Sequence, residues 1–211
     1  MGRCGGASTP VHRTNYFPPH PLPRTGSTNG QSMAQHRTSA RETILDAFVD
    51  LLIESNGSSA TLDDVAKRAG VTKGGLLYHF GSRQVLESGL MDRFEQLASE
   101  DYLRMESAPE GATAYYARLA DYIGTELERV CIATGMLAKR DPRAADLVRK
   151  MRTTHFELMN ADLGDPMLAR ATMLIVDGMY YDVATIGEPF APELDVSAFL
   201  SRMLATKSGG E

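Results

Sequence analysis

The chain has 211 residues, 43% of them hydrophobic and 23% charged, a net charge of -5 and no tryptophan. That is enough apolar material for one large or two small packed domains. It contains no run of roughly 18 uninterrupted apolar residues that could span a bilayer, and its first thirty residues lack the apolar core of a signal peptide. A cytoplasmic protein is the expectation. Cys4 and Cys131 are the only cysteines, which speaks against a disulfide framework or a thiolate metal site. Cys131 falls in a helical pattern and reads as core rather than as a redox sensor.

The charge is unevenly spread. Residues 1–41 hold Arg3, Arg13, Arg24, Arg37 and Arg41 and no acidic residue, so the rest of the chain is strongly acidic. An acidic body still binds DNA where local positive side chains reach phosphates. Residues 1–36 are rich in Pro, Gly, Ser, Thr and His, and this composition predicts a flexible basic tail, either merely solvated or adding phosphate contacts. Met33, just ahead of the folded pattern, is an alternative translation start.

From Thr38 onward apolar residues recur at three- and four-residue spacing with no period-two segment, so the fold class is all-α. The first helix is predicted over Ser39 to Glu54, with Ile44, Leu45, Phe48, Leu51 and Leu52 on one stripe, and it stops at Asn56-Gly57. Two short helices joined by a tight turn follow between Thr61 and Phe80. Thr61 reads as a helix cap with Asp64 three residues on, Gly70 as a left-handed terminus and Thr72 as the next cap. Val65, Ala69, Val71, Leu76 and Leu77 are predicted to fill the wedge between these helices, with Ala66 permitting a close crossing. This is helix-turn-helix geometry, in which the second helix faces a major groove.

The exposed side of that second helix offers Thr72, Lys73, Gly74, Tyr78 and His79. Lys73 suits phosphate or guanine, the Gly74-Gly75 pair lets backbone approach DNA, and Tyr78 and His79 can donate to phosphate oxygens. Ser82-Arg83 opens the next helix with a hydroxyl, a helix N-terminus and a guanidinium, a natural phosphate clamp. Lys67 and Arg68 read as solvated. Further helices are predicted over Ala112 to Lys139, Ala144 to Ala161, Pro166 to Ile186 and Pro192 to Ala205.

The run from Thr61 to Phe80, continued by Gly81-Ser82-Arg83-Gln84-Val85-Leu86, resembles the DNA-binding signature of the TetR family of repressors. The resemblance starts near Arg37 and includes the threonine cap, the Ala-Gly-Val turn, the Lys-Gly pair and the Tyr-His-Phe end; Arg83 stands where the family more often has lysine. It implies a three-helix DNA-binding domain over 37–82 with contacts from Arg37, Arg41, Thr61, Thr72, Lys73, Gly74, Gly75, Tyr78, His79 and Arg83. A connecting helix over 83–104 and a ligand-binding and dimerisation domain over 105–211 complete the expected plan. The implied partners are double-stranded operator DNA, a small-molecule effector and a second copy of the chain, with no cofactor and no membrane.

In the second domain the helix from Pro166 to Ile186 is apolar around much of its circumference. With Phe199, Leu200, Met203 and Leu204 it could form a four-helix interface across a two-fold axis, where Gly178 would permit close approach. Candidate effector contacts are Tyr115, Tyr116, Met136, Met151, His155, Met159, Asp177 and Tyr181, although a methionine stripe with a lone histidine is also what an ordinary core looks like. Asp177 stands in an apolar run and demands a partner, either a cationic ligand or an Arg or Tyr across the interface. No catalytic or metal-binding pattern is visible, which leaves an effector-independent activator or architectural DNA binder, and more weakly a helical enzyme, as alternatives.

Overall fold

A computed structural model describes residues 39–57, 60–118, 123–186 and 198–199. Among them are eight helices and no strand, in agreement with the all-α expectation. The predicted tail, Arg37 and most of the expected helix from Pro192 to Ala205 lie outside the described residues.

Helix α1 (Ala40–Glu54) begins in a reciprocal cap: Glu42 N–H donates to Ser39 Oγ (3.2 Å) and Ser39 N–H donates to Glu42 Oε2 (2.8 Å). It ends where Gly57, at φ +81°, donates its N–H to the Leu52 carbonyl at 2.8 Å. A Cβ at Gly57 would lie 3.1 Å from the Met136 Cβ, so the end of α1 is pressed against a helix far along the chain. Helices α2 (Leu62–Arg68) and α3 (Lys73–Phe80) form the helix-turn-helix. Thr61 and Asp64 make a second reciprocal cap, and Gly70, at φ +68°, lets Val71 N–H reach the Ala66 carbonyl at 3.0 Å.

Helix α4 (Arg83–Glu106) follows, capped by Ser82. The single helix predicted over 112–139 is two: α5 (Ala112–Ala117) and α6 (Glu126–Leu137). Gly124, at φ +79°, cannot continue a right-handed helix, and Thr125 caps a new one by accepting from Glu128 N–H. Helix α7 (Pro142–Leu163) begins two residues before the predicted Ala144, because proline is tolerated in the first turn and Asp141 caps it. Helix α8 (Pro166–Ile186) has the predicted bounds.

Two buried clusters organise these helices. The larger joins Ile44, Phe48 and Leu52 of α1, Val65 of α2, Leu76 and Phe80 of α3 and Leu90 and Phe94 of α4 to Val130, Ala133 and Leu137 of α6 and Ala144 and Leu147 of α7. The smaller joins Met105, Tyr116, Met159, Met173 and Val176. Leu77 is a correction: expected in the wedge, it is 37% exposed, because Leu76 and Phe80, one turn apart, take the inward face of the short helix. Ion pairs follow the seam between α1, α4 and the later helices. Arg93 bridges Asp46 (2.6 Å) and Glu126, Arg129 pairs with Asp50, Arg140 reaches Glu87 (2.9 Å), and Arg143 reaches Asp92 (2.6 Å). Most of these side chains are half exposed, so each pair contributes at most about 1 kcal/mol and the apolar seam dominates.

Two outcomes test this packing. A Cβ at Gly89 on α4 would sit 2.9 Å from the buried Phe80 ring, whereas one at Gly74 meets only Thr72 Oγ1 at 4.0 Å. In urea unfolding Gly89→Ala should lose about 1–3 kcal/mol by overpacking, while Gly74→Ala should gain up to about 1 kcal/mol from helix propensity. Cys131 packs against the larger cluster, and burial pushes its thiol up to about 12. Its folded value lies above the unfolded one, so stability is full below the ordinary thiol range and falls as pH rises through it toward 12. A Cys4→Ser protein should accordingly resist iodoacetamide at pH 8 when native and react once unfolded.

Candidate functional site

Helix α3 is placed by its two inward residues, Leu76 (0% exposed) and Phe80 (1% exposed), and everything between them is pushed outward. Thr72, Lys73, Gly74, Leu77, Tyr78 and His79 are all exposed, with Tyr78 at 86%. An aromatic side chain so fully in solvent contributes nothing to packing. The Tyr78 and His79 rings meet edge to face at 5.2 Å, which restrains both.

The two glycines of α3 differ. A Cβ at Gly75 would crowd Thr72 Oγ1 at 3.3 Å, the oxygen that accepts the Gly75 N–H at 3.0 Å in the helix cap. Gly74 faces open space, so it alone keeps the outer surface low. Lys73 Nζ lies 3.0 Å from Asp63 Oδ2 with both side chains more than half exposed, a pair that a phosphate can displace at small cost. Thr61 is committed to its cap with Asp64, whose carboxyl is held below its ordinary range chiefly by the Thr61 hydroxyl.

Arg83, read from sequence as a phosphate clamp, is turned inward. It pairs with Glu87 at 2.9 Å, donates to the Ala60 carbonyl and lies over the Phe48 ring at 5.5 Å. Arg41 lies over the Phe80 ring at 5.0 Å while remaining exposed beside α3. Arg68 forms two hydrogen bonds to Glu54, at 2.9 and 2.6 Å, and is anchored to α1. Leu77 is the member of the outer face that the sequence did not reveal.

Asp177 on α8 has its partners within the same chain, not across an interface. Arg152 donates to both carboxylate oxygens, at 3.0 and 2.6 Å, and the Tyr116 hydroxyl donates at 3.1 Å. Burial is the main cause that raises the Tyr116 hydroxyl above its ordinary value. Nearby, Asp101 is 3% exposed, accepts from the Tyr115 hydroxyl at 2.9 Å, and faces His155 Nε2 at 3.4 Å. The His155 ring sits edge-on to Tyr102 (5.6 Å) and Tyr116 (5.3 Å), and burial pushes the Tyr102 hydroxyl up to about 12. Tyr115, Tyr116, His155, Met159 and Asp177 therefore converge. Met136 and Met151 instead pack with the larger cluster, and Tyr181 is 52% exposed. Asp101, Tyr102 and Arg152 were not legible beforehand, since only tertiary packing brings them to Tyr115, His155 and Asp177.

Among the described residues no group of three or more His, Cys, Asp or Glu side chains could hold a metal ion, and no helix is long and apolar enough to cross a membrane.

Residues 44–86 match the family model described as bacterial regulatory proteins, tetR family. The chain is 41% identical over 54 residues to the HTH-type transcriptional regulator SrpR of Pseudomonas putida, a match covering 25% of each protein. It is 43% identical over 53 residues to the HTH-type transcriptional regulator AlkX of Mycobacterium tuberculosis, again 25% of each. The chain thus spans about a quarter of the length of these curated relatives. Similarity of fold runs further. A TetR-family member from Streptomyces coelicolor A3 superposes with a TM-score of 0.58 at 19% identity, covering 80% of this chain and 98% of that one. The multidrug binding protein EbrR complexed with malachite green gives 0.55 at 22% identity, covering 77% and 96%. Residues 44–86 are thus similar to the tetR-family regulatory proteins, and the described helices share the fold of these solved structures.

Proposed function

We propose that the protein is a dimeric, sequence-specific transcriptional repressor that leaves a palindromic operator when a small molecule binds its second domain. The carrying observation is the outer face of α3, where Lys73, Gly74, Tyr78 and His79 stand in solvent on a helix locked by Leu76 and Phe80. Lys73 and exposed Arg41 supply charge for phosphates, and Tyr78 and His79 supply donors for phosphates or base edges. Acting on operator DNA places the protein in the bacterial cytoplasm.

The outward side of α8 supports the dimer. Leu174 (55% exposed) and Tyr181 (52%) lie there, and a Cβ at Gly178 would meet no atom within 4 Å. Such an apolar face fits a second copy related by a two-fold axis, which would set two α3 helices about 34 Å apart, in successive major grooves. The division into a head over 37–82, a connecting helix over 83–104 and a sensing body over 105–211 is part of the same reading. The Tyr115, Tyr116, His155 and Asp177 cluster between α4, α5, α7 and α8 is where an effector would act. The description of EbrR as a multidrug binding protein supports a small-molecule effector.

Fluorescence anisotropy with operator DNA tests the reading. Lys73→Ala and Tyr78→Ala should each weaken binding by about 1–3 kcal/mol without lowering the unfolding temperature, and Asp63→Asn, which frees Lys73, should tighten it a few-fold. Unchanged affinity in both alanine variants would contradict the proposed interface.

A further inference from the structure

An open groove of about 570 Å³ runs along the helical hairpin formed by α7 and α8. Its floor is apolar: Met173 is buried, Phe156 is partly buried, and Met167 leaves 78% of its surface in solvent. Its rim carries three guanidiniums, Arg149, Arg152 and Arg170, and no carboxylate lines it. The size is that of a site for a small organic ligand.

The three arginines are not equivalent. Arg152 is bonded to Asp177 through both terminal nitrogens. Arg149 pairs with Asp146 on the surface, where both side chains are 70% exposed and the pair yields easily to another anion. Arg170 is exposed and has no ion pair among the described residues. A cation entering the groove would meet three guanidiniums, of which Arg170 has no carboxylate partner among the described residues. A neutral apolar molecule would leave the guanidiniums unused. A carboxylate matches the fork of a guanidinium with two parallel hydrogen bonds, and an aliphatic tail matches the methionine and phenylalanine floor.

We infer that the groove between α7 and α8 binds an amphipathic carboxylate, its head held by Arg170 and Arg149 beside Arg152 and its tail laid on Phe156, Met167 and Met173. The inference goes beyond the effector reading by naming a ligand class, and rests on that reading only for what binding does to DNA. A bound carboxylate would share Arg152 with Asp177, and through Asp177 it would act on the Tyr116 hydroxyl. That places the groove one hydrogen-bonded step from the buried polar cluster.

Calorimetric titration of the full chain with dodecanoate, dodecyl phosphate and dodecyltrimethylammonium tests the assignment, with operator binding followed in the same samples. Dodecanoate should bind saturably. Arg170→Gln should weaken it roughly tenfold and the Arg149→Gln, Arg170→Gln double variant more, with unfolding temperatures of the unliganded proteins unchanged. Arg152 is left intact so that Asp177 keeps its partner. Dodecyltrimethylammonium binding as tightly as dodecanoate, tighter binding of dodecyl phosphate, or unchanged affinity in the double variant would each overturn the assignment. Binding that leaves operator affinity intact would uphold the groove and count against its role as the effector site.

Discussion

The structure depends on one apolar seam, where α6 lies against α1 and α4. Val130, Ala133 and Leu137 are buried in the same cluster as Ile44, Phe48, Leu52, Phe80 and Phe94. Helix α3 is seated by Leu76 and Phe80 in that cluster, so its direction depends on its packing against α1 and α4 as well as on its own turn. The close approach of Gly57 to Met136 is the tightest expression of this seam. A close-packed core moves as blocks, so any displacement of α6 is passed to α1 and α3 rather than absorbed.

Helix α7 makes the connection to the second cluster. Its first turns put Ala144 and Leu147 into the larger core, while Met159, three turns further on, belongs to the smaller one with Met105, Tyr116 and Met173. Between these ends it carries Arg152 and His155, which reach Asp177 and Asp101. Asp101 and His155 are buried and the Arg152–Asp177 pair is partly so, and such ionisable groups are sensitive to any new charge nearby, since a lost partner leaves a costly orphan. The architecture therefore offers a continuous physical route between the two clusters, from the polar cluster through α7 and the shared core to α3, the route that the proposed switching would use.

Much of the head was legible because it is written in short-range chemistry. Ser39 with Glu42, Thr61 with Asp64, Gly70 and Thr72 act over three or four residues, and each does what its residue type allows. Illegible features depended on distant partners. The division of 112–139 turns on Gly124 and Thr125, a weak local signal inside an apolar pattern. Arg83 looked like a phosphate ligand because two of its three inward partners, the Ala60 carbonyl and the Phe48 ring, come from elsewhere in the fold, while Glu87 lies one turn along its own helix. Asp177 was recognisable as a carboxylate needing a partner, but which partner was a question only the packing of α7 on α8 could answer. The three arginines of the groove sit on polar helix positions that look solvated in sequence.

The negative charge of the body sharpens the role of the head. On the proposed function, an overall charge of -5 concentrates affinity for DNA where α1 and α3 expose Arg41, Lys73, Tyr78 and His79, and the proposed dimer would read its operator with two such faces at once. Hydroxyl-radical footprinting of the purified protein on the DNA flanking its own gene tests this central claim most directly. The account predicts a two-fold symmetric protected region whose half-site centres lie one helical turn, about 34 Å, apart. Protection of a single unsymmetrical site, or of no site at all, would contradict it.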